Sequence, residues 1–140
     1  MTGSGFRVIK SIDFCYGHRL YRYGGKCKNV HGHNGRLEIV IAASKLDDLG
    51  MVVDFSGIKS KIKSWVDDEL DHRMLVMRDD PSAARLKALD PEVVLLDFNP
   101  TAENLARHIF SHVKKMGFAV CEVRLWETES SCAAYKETST

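Results

Sequence analysis

The stretch Phe6-Arg-Val-Ile-Lys-Ser-Ile-Asp-Phe14-Cys-Tyr-Gly-His18 decides the fold class. Phe6, Val8, Ile12 and Phe14 fall on one side of it, with Lys10 the one interruption. Period two marks a half-buried strand, assigned to Phe6–Phe14. Arg36–Ser44 repeats the pattern, with Leu37 and Ile39 alternating against Glu38 and Val40. Between them Cys15–Val30 carries Gly17, Gly24, Gly25 and scattered basic residues. It reads as a long loop, and loops of that length are usually functional or disordered.

Working outward, Asp47-Asp48-Leu49-Gly50 is turn chemistry before an extended Met51–Phe55. Ser56 fits an N-cap, and Ile58, Ile62, Trp65, Val66 and Leu70 recur at helical spacing. Leu70-Asp71-His72 sits where that helix ends. Asp79–Pro91 holds a short helix bounded by prolines, and Val93–Phe98 is a short apolar strand. Thr101 caps a second long helix with Leu105, Ile109, Phe110 and Val113 inward, and Gly117 stops it. Ala119–Thr128 alternates again, and Cys132–Lys136 pairs with it. Met1–Gly5 and Thr138–Thr140 read as loose tails. The order ββ, helix, helix, ββ predicts one α+β domain over residues 1–140. Two helices leave one sheet face and two edges uncovered, which edge pairing between copies would close.

The composition agrees with a globular domain: 140 residues, 44% hydrophobic and 28% charged. Twenty basic against nineteen acidic residues give a formal charge of +1. No global field steers nucleic acid or an anionic membrane, so any basic site is local. No apolar run approaches the roughly 20 residues of a bilayer span. Met1–Phe6 lacks the regions of a signal peptide, so a reducing cytoplasm is expected. Cys15, Cys27, Cys121 and Cys132 form no Cys-x-x-Cys pair, and a disulfide framework is not expected. Cys15, Cys121 and Cys132 read as small apolar fillers.

Three of six histidines, His18, His31 and His33, fall within sixteen residues. His31 and His33, two apart on an extended segment, point the same way. Three imidazoles with an open fourth position make the ligand set of a catalytic Zn²⁺. Cys27, four residues before His31, would instead close a structural Cys-His₃ site. Gly25, His31, His33 and Glu38 also fit the start of a cupin pattern, but Lys45 stands where its later glycine belongs. Two helices also suit a jelly roll poorly. Taken alone, Asp71-His72 reads as a helix C-terminal cap and Glu127 as an exposed strand residue. Thr101 reads as an N-cap and Glu103 as an acid favoured by the helix dipole. His108 and His112, without His-Glu-x-x-His, read as surface residues.

Six motifs in register carry a resemblance. They are Phe14-Cys-Tyr-Gly-His18, Cys27-Lys-Asn-Val-His31-Gly-His33-Asn34, Val53-Asp-Phe-Ser56, Leu70-Asp-His72, Pro100-Thr-Ala-Glu-Asn104 and Trp126-Glu-Thr128 ending at Tyr135. Together, over about residues 6–136, they resemble the 6-pyruvoyltetrahydropterin synthase / 6-carboxytetrahydropterin synthase family. The resemblance implies a tunnelling fold: a four-stranded antiparallel sheet with two helices on one face. It also implies a trimeric barrel that assembles to a homohexamer. His18, His31 and His33 resemble the zinc ligands and Cys27 the catalytic base. Asp71 and His72 resemble its relay partners, contributed by a neighbouring subunit. Glu127 resembles the acid that grips the pterin and is counted with the catalytic groups. Thr101 and Glu103 resemble residues lining the pterin pocket.

The implied substrate is 7,8-dihydroneopterin triphosphate, and each residue type suits its chemistry. Zn²⁺ acts as a Lewis acid on a hydroxylated side chain. A thiol serves as base when a neighbouring cation favours the thiolate, and Lys26 and Lys28 are sequence neighbours of Cys27. A carboxylate can accept from both a ring N–H and an amino group. Arg19, Arg22, Lys26 and Lys28 are candidate triphosphate contacts, or plain solvated loop charges. Cys27 disfavours the family branch that uses glutamate. Its short gap to His31 resembles the bacterial members that form 6-carboxytetrahydropterin with release of acetaldehyde and triphosphate, on the way to queuosine. The pyruvoyl-forming reaction and a non-catalytic zinc- or pterin-binding paralogue are the alternatives. Two departures stand out: the longer stretch around Asp79–Pro91, and Tyr16-Gly17 where small alanines are common.

Overall fold

The computed structural model describes residues 4–137; residues 1–3 and 138–140, where most of the expected tails fall, lie outside that range. The element order is β1 (Phe6–His18), β2 (His31–Ala43), α1 (Phe55–Ile58), α2 (Ser64–Glu69), β3 (Arg73–Met77), α3 (Ala83–Leu89), β4 (Val94–Leu96), α4 (Ala102–Lys115), β5 (Val120–Thr128) and β6 (Ser131–Tyr135). A short 3₁₀ turn, Lys26–Lys28, lies in the β1–β2 connection. The strands make one sheet in the order β4-β3-β1-β2-β5-β6. β1, β2, β5 and β6 are the expected four-stranded antiparallel sheet. β3 and β4 extend it beyond β1 as two short parallel strands, of which only β4 was expected from the sequence.

One face of this sheet carries the core. Ile12 lies opposite Leu37, which lies opposite Leu125, and Ile39 lies opposite Val123; all five are buried. α4 sets Leu105, Ala106, Ile109, Phe110 and Val113 on that face, at the i, i+3, i+4 spacing of a helix stripe. From α1 and α2, Ile58, Ile62 and Val66 join the same core. They recur every four residues, a spacing that drifts by about 40° per step on a 3.6-residue helix. Lys59–Lys63, between α1 and α2, is a wider π turn that winds the stripe back toward the sheet.

Several boundaries moved. β1 runs on to His18 and β2 begins at His31, so the connection shrinks to residues 19–30. Glycines at 17 and 32 face each other in the ladder and carry pairing past the apolar alternation. α1 is capped by Asp54, whose Oδ1 accepts from the Ser56 amide at 2.8 Å, rather than by Ser56. That bond holds the Asp54 carboxyl below its ordinary range. Residues 51–55 contain no strand.

The segment around Asp79–Pro91 holds α3 and is tied to the end of β1. Asp80, with a fully buried side chain, lies 2.7 Å from Arg19, which also donates to Ser82 at 3.0 Å. His108 and His112 are half-buried rather than surface residues. His112 stacks on Trp65 with centroids 4.5 Å apart, and His108 lies 5.3 Å from Phe98. This aromatic group joins α4 to α2. No helix among the described residues is long and apolar enough to cross a membrane.

Two stability predictions follow from these contacts. Asp80→Asn strands the Arg19 charge against a buried partner and should cost about 3 kcal/mol, read from urea unfolding at pH 7. Burial, with His112 and Lys115 adding, lowers His108 to about 4. The unfolded chain therefore takes up this proton near pH 6.5 and the folded chain only near pH 4. Stability at this site is complete above pH 6.5 and is lost progressively as the pH falls toward 4. His108→Gln should flatten unfolding free energy across that window.

Candidate functional site

The β1–β2 ladder builds the site. His18 pairs directly with His31, and Tyr16 with His33, so the three histidines lie on the core-facing side at one end of the ladder. Their ring centroids are 4.5 to 5.0 Å apart. One ring nitrogen from each lies within 4.8 Å of the other two. Two of the tautomers follow from the contacts. His18 Nδ1 donates to the Pro100 carbonyl at 2.7 Å, and His31 Nδ1 donates to the Asn29 carbonyl at 2.7 Å. A carbonyl only accepts, so Nε2 of both rings carries the free lone pair.

These contacts test the fit of a metal ion. His31 Nε2 is buried and has no hydrogen-bond partner among the described residues. His18 Nε2 and His33 Nε2 are 3.1 Å apart, close to the roughly 3.3 Å that two nitrogens keep on a tetrahedral zinc. Burial lowers His18 to about 4, with the Pro100 bond opposing and the other two histidines assisting. Burial also lowers His33, against the Glu127 carboxylate. Both rings are therefore neutral at pH 7, the form that binds a metal. The donor set fits Zn²⁺, with carbonyls anchoring the far nitrogens of two ligands.

Glu127 reaches this cluster. It stands at a register break in β5, between Trp126 and Thr128, and its Oε2 lies 3.3 Å from His33 Nε2. Cys27 is half-buried in the 3₁₀ turn and lies outside the histidine cluster, so no closed Cys-His₃ set forms. Its carbonyl accepts from the Leu20 amide at 2.8 Å, which folds the loop back beside His18. Asn99 clamps the same loop, bonding both the amide and the carbonyl of Tyr21 at 2.9 Å. Thr101 caps α4 through Asn104 at 3.1 Å, and Glu103 is exposed in the first turn. Arg19 is engaged by Asp80, so Arg22, Lys26 and Lys28 are the loop cations left for an anion.

Asp71 and His72 lie together elsewhere. His72 Nδ1 donates to Asp71 Oδ2 at 2.9 Å. Burial pushes the Asp71 carboxyl up, but bonds from the Cys15 amide and from His72 outweigh it and leave it below its ordinary range. The pair sits beside Cys15, which alternates to the sheet face opposite His18. Within one chain the dyad and the histidine triad are thus on opposite faces of β1. On the dyad's face, Cys15, Asn34, Arg36, Glu38, Asp71, His72 and Trp126 line an open groove of about 830 Å³.

Cys15 and Tyr16, at these sites, escaped the sequence reading. Cys15 is no filler: its sulfur lies 3.3 Å from His72 Nε2. Cys132 is exposed and is not a filler either. Tyr16, on the side of the histidine cluster, packs edge-on to His18 with centroids 5.3 Å apart. Its ring lies over Gly35, where a Cβ would come within 3.0 Å of Tyr16 Cε1. The signal for both was positional: odd residues of β1 belong with Cys15 and even ones with His18.

The Tyr16 hydroxyl is buried and, among the described residues, unpartnered. Burial and the Glu127 carboxylate push its pKa up, so it stays protonated. Tyr16→Phe should therefore stabilise the metal-free protein by about 1 kcal/mol, measured by urea unfolding in chelator.

Comparison with known proteins agrees with this geometry. The family model for 6-pyruvoyl tetrahydropterin synthase matches residues 7–138. A 6-carboxy-5,6,7,8-tetrahydropterin synthase from Rickettsia typhi is 37% identical over 131 residues, covering 89% of this chain and 95% of that protein. The protein of that name from Haemophilus influenzae is 33% identical over 140 residues, covering 94% and 99%. Among solved structures, an uncharacterized protein from Wolinella succinogenes has a TM-score of 0.81 at 24% identity, covering 97% of this chain and 100% of that one. The Caenorhabditis elegans 6-pyruvoyl tetrahydropterin synthase has a TM-score of 0.74 at 23% identity, covering 97% and 98%. These two likenesses are of fold, and the fold is the tunnelling fold expected above. With six motifs in register and matches across nearly its whole length, the chain belongs to the 6-pyruvoyl tetrahydropterin synthase family.

Proposed function

We propose that this chain is a zinc-dependent lyase that converts 7,8-dihydroneopterin triphosphate and one water to 6-carboxy-5,6,7,8-tetrahydropterin, releasing triphosphate and acetaldehyde. The observation that carries this reading is the convergence of three histidines, two with Nδ1 tied to backbone carbonyls and one Nε2 buried without a partner. The relatives named 6-carboxy-5,6,7,8-tetrahydropterin synthase support the product. So does the short Cys27–His31 gap.

In this reading His18, His31 and His33 hold the ion through Nε2. Bound there, Zn²⁺ supplies Lewis acidity toward the oxygens of the substrate side chain. Glu127, at the edge of the cluster, would accept hydrogen bonds from the pterin ring. Cys27 takes the side-chain proton, and the folded-back loop at Leu20 keeps its turn beside His18. His72 receives or returns that proton, and Asp71 holds its ring through Nδ1. Within one chain the triad and the dyad lie on opposite faces of β1, which supports completion of the set from a second chain. A neighbouring subunit of a trimer or hexamer supplies the dyad. The uncovered sheet face and the outer edges of β4 and β6 suit such an assembly. Thr101 and Glu103 line the pterin pocket at the start of α4, and Arg22, Lys26 and Lys28 meet the triphosphate.

Incubation of zinc-loaded protein with 7,8-dihydroneopterin triphosphate should release acetaldehyde in step with triphosphate. A pyruvoyl product without acetaldehyde would move the assignment to pyruvoyltetrahydropterin formation, and an untouched substrate would leave a binding role. Cys27→Ala should keep its zinc and lose turnover by about 10²-fold or more. Loss of zinc in that variant would sink the base assignment.

A further inference from the structure

The reaction above leaves Cys15 without a role, yet its backbone is gripped twice by the segment after α2. The Cys15 amide donates to Asp71 Oδ1 at 3.0 Å, and its carbonyl accepts from the His72 amide at 2.7 Å. His72 adopts a left-handed backbone, φ 59°, to make that second bond. A contact across 56 residues of sequence thus brings a thiol, a carboxylate and an imidazole to one point. Cys15 Sγ lies 3.3 Å from His72 Nε2 and 3.8 Å from Asp71 Oδ1. One donor atom from each of the three residues lies within 4.8 Å of the others. The His72 side chain is 78% exposed, so its ring can turn without breaking its backbone anchor.

We propose that Cys15, Asp71 and His72 form a second metal site, on the sheet face opposite the histidine triad, that takes one thiophilic divalent cation such as Zn²⁺ or Cd²⁺. Geometry and charge both support it. A tetrahedral zinc with sulfur at about 2.3 Å and nitrogen or oxygen at about 2.0 Å keeps sulfur about 3.5 Å from the other donors. The observed 3.3 and 3.8 Å straddle that value. A thiolate and a carboxylate balance the two positive charges, the imidazole is neutral, and the thiol proton leaves to solvent on binding. The nearest cation in sequence, Arg73, is engaged by Glu92 at 2.7 Å and does not oppose an incoming ion. The fourth position faces the open groove, where water completes the set.

One consequence rests on the proposed reaction, though binding itself does not. Asp71 and His72 are its relay pair, so an ion on them removes both from proton transfer. Zinc beyond the first equivalent then inhibits the enzyme that the first equivalent activates.

The test titrates protein loaded with one equivalent of zinc with Cd²⁺ while the ultraviolet thiolate-to-metal charge-transfer band is followed. The triad holds no sulfur, so the band reports cysteine ligation alone. Wild type, Cys27→Ala and His31→Ala should each develop the band with one equivalent of cadmium. Cys15→Ala should lose both the band and that equivalent. Cys15→Ser, close in size and with the same backbone bonds, should lose the band too and guards against misfolding of the alanine variant. No band in wild type overturns the site, as does a band that survives both Cys15 substitutions or disappears in Cys27→Ala. In a parallel assay, excess zinc should slow wild-type turnover and spare Cys15→Ala. A Cys15-dependent band with turnover indifferent to zinc upholds the site and overturns the relay role of Asp71 and His72.

Discussion

The pairing register of β1 with β2 is the constraint on which everything else depends. Thirteen residue pairs, from Phe6 opposite Ala43 to His18 opposite His31, lie in one unbroken antiparallel ladder. Because side chains alternate, a slip of one residue would put Leu37 and Ile39 on the face opposite Ile12 and Phe14. It would also separate the histidines. The same register that buries the core under α4 therefore assembles the histidine cluster. Burial of the core and convergence of the histidines depend on one geometric variable.

The two faces of that ladder do different work. Even positions of β1 run from the core into Tyr16 and His18 without leaving the protein interior, which is why His18 is only 1% exposed and neutral. Odd positions run through Ser11, Asp13 and Cys15 into an uncovered groove. The backbone between Cys15 and His18 is short, but the sheet itself stands between their side chains. A chain built this way carries the histidine triad and the Cys15–Asp71–His72 group on separate faces of one ladder. The buried Arg19–Asp80 pair and the Asn99 clamp on Tyr21 flank His18 in sequence and set the course of the chain as it leaves β1.

Much of this was legible in the residues. The alternation in 6–14 and 36–44, the helix stripe of α4 and its Thr101 cap came through with little change, because each rests on local periodicity. The His-x-His spacing places two imidazoles on one side of a strand. What failed locally was instructive. The extension of β1 through Gly17 to His18 has no apolar alternation to announce it; the opposite strand imposes it. β3 forms because Arg73–Met77 lies parallel against residues 16–18, a contact no nearby residue encodes. Arg19 looked like a free loop cation, and only the fold placed buried Asp80 against it, 61 positions away in sequence.

The sequence by itself determined the α+β class, the identity of the three histidines and the likeness to a pterin synthase family, since periodicity, ligand chemistry and motif order are properties of a chain read end to end. Tertiary structure decided which nitrogen of His18 and His31 is free, that Tyr16 packs against the histidine cluster, and that Cys15 rather than Cys27 lies beside Asp71 and His72 in the same chain. Those are questions of distance and of which sheet face a side chain occupies. Distances across 56 residues are set by strand pairing and core packing, and no local pattern contains them.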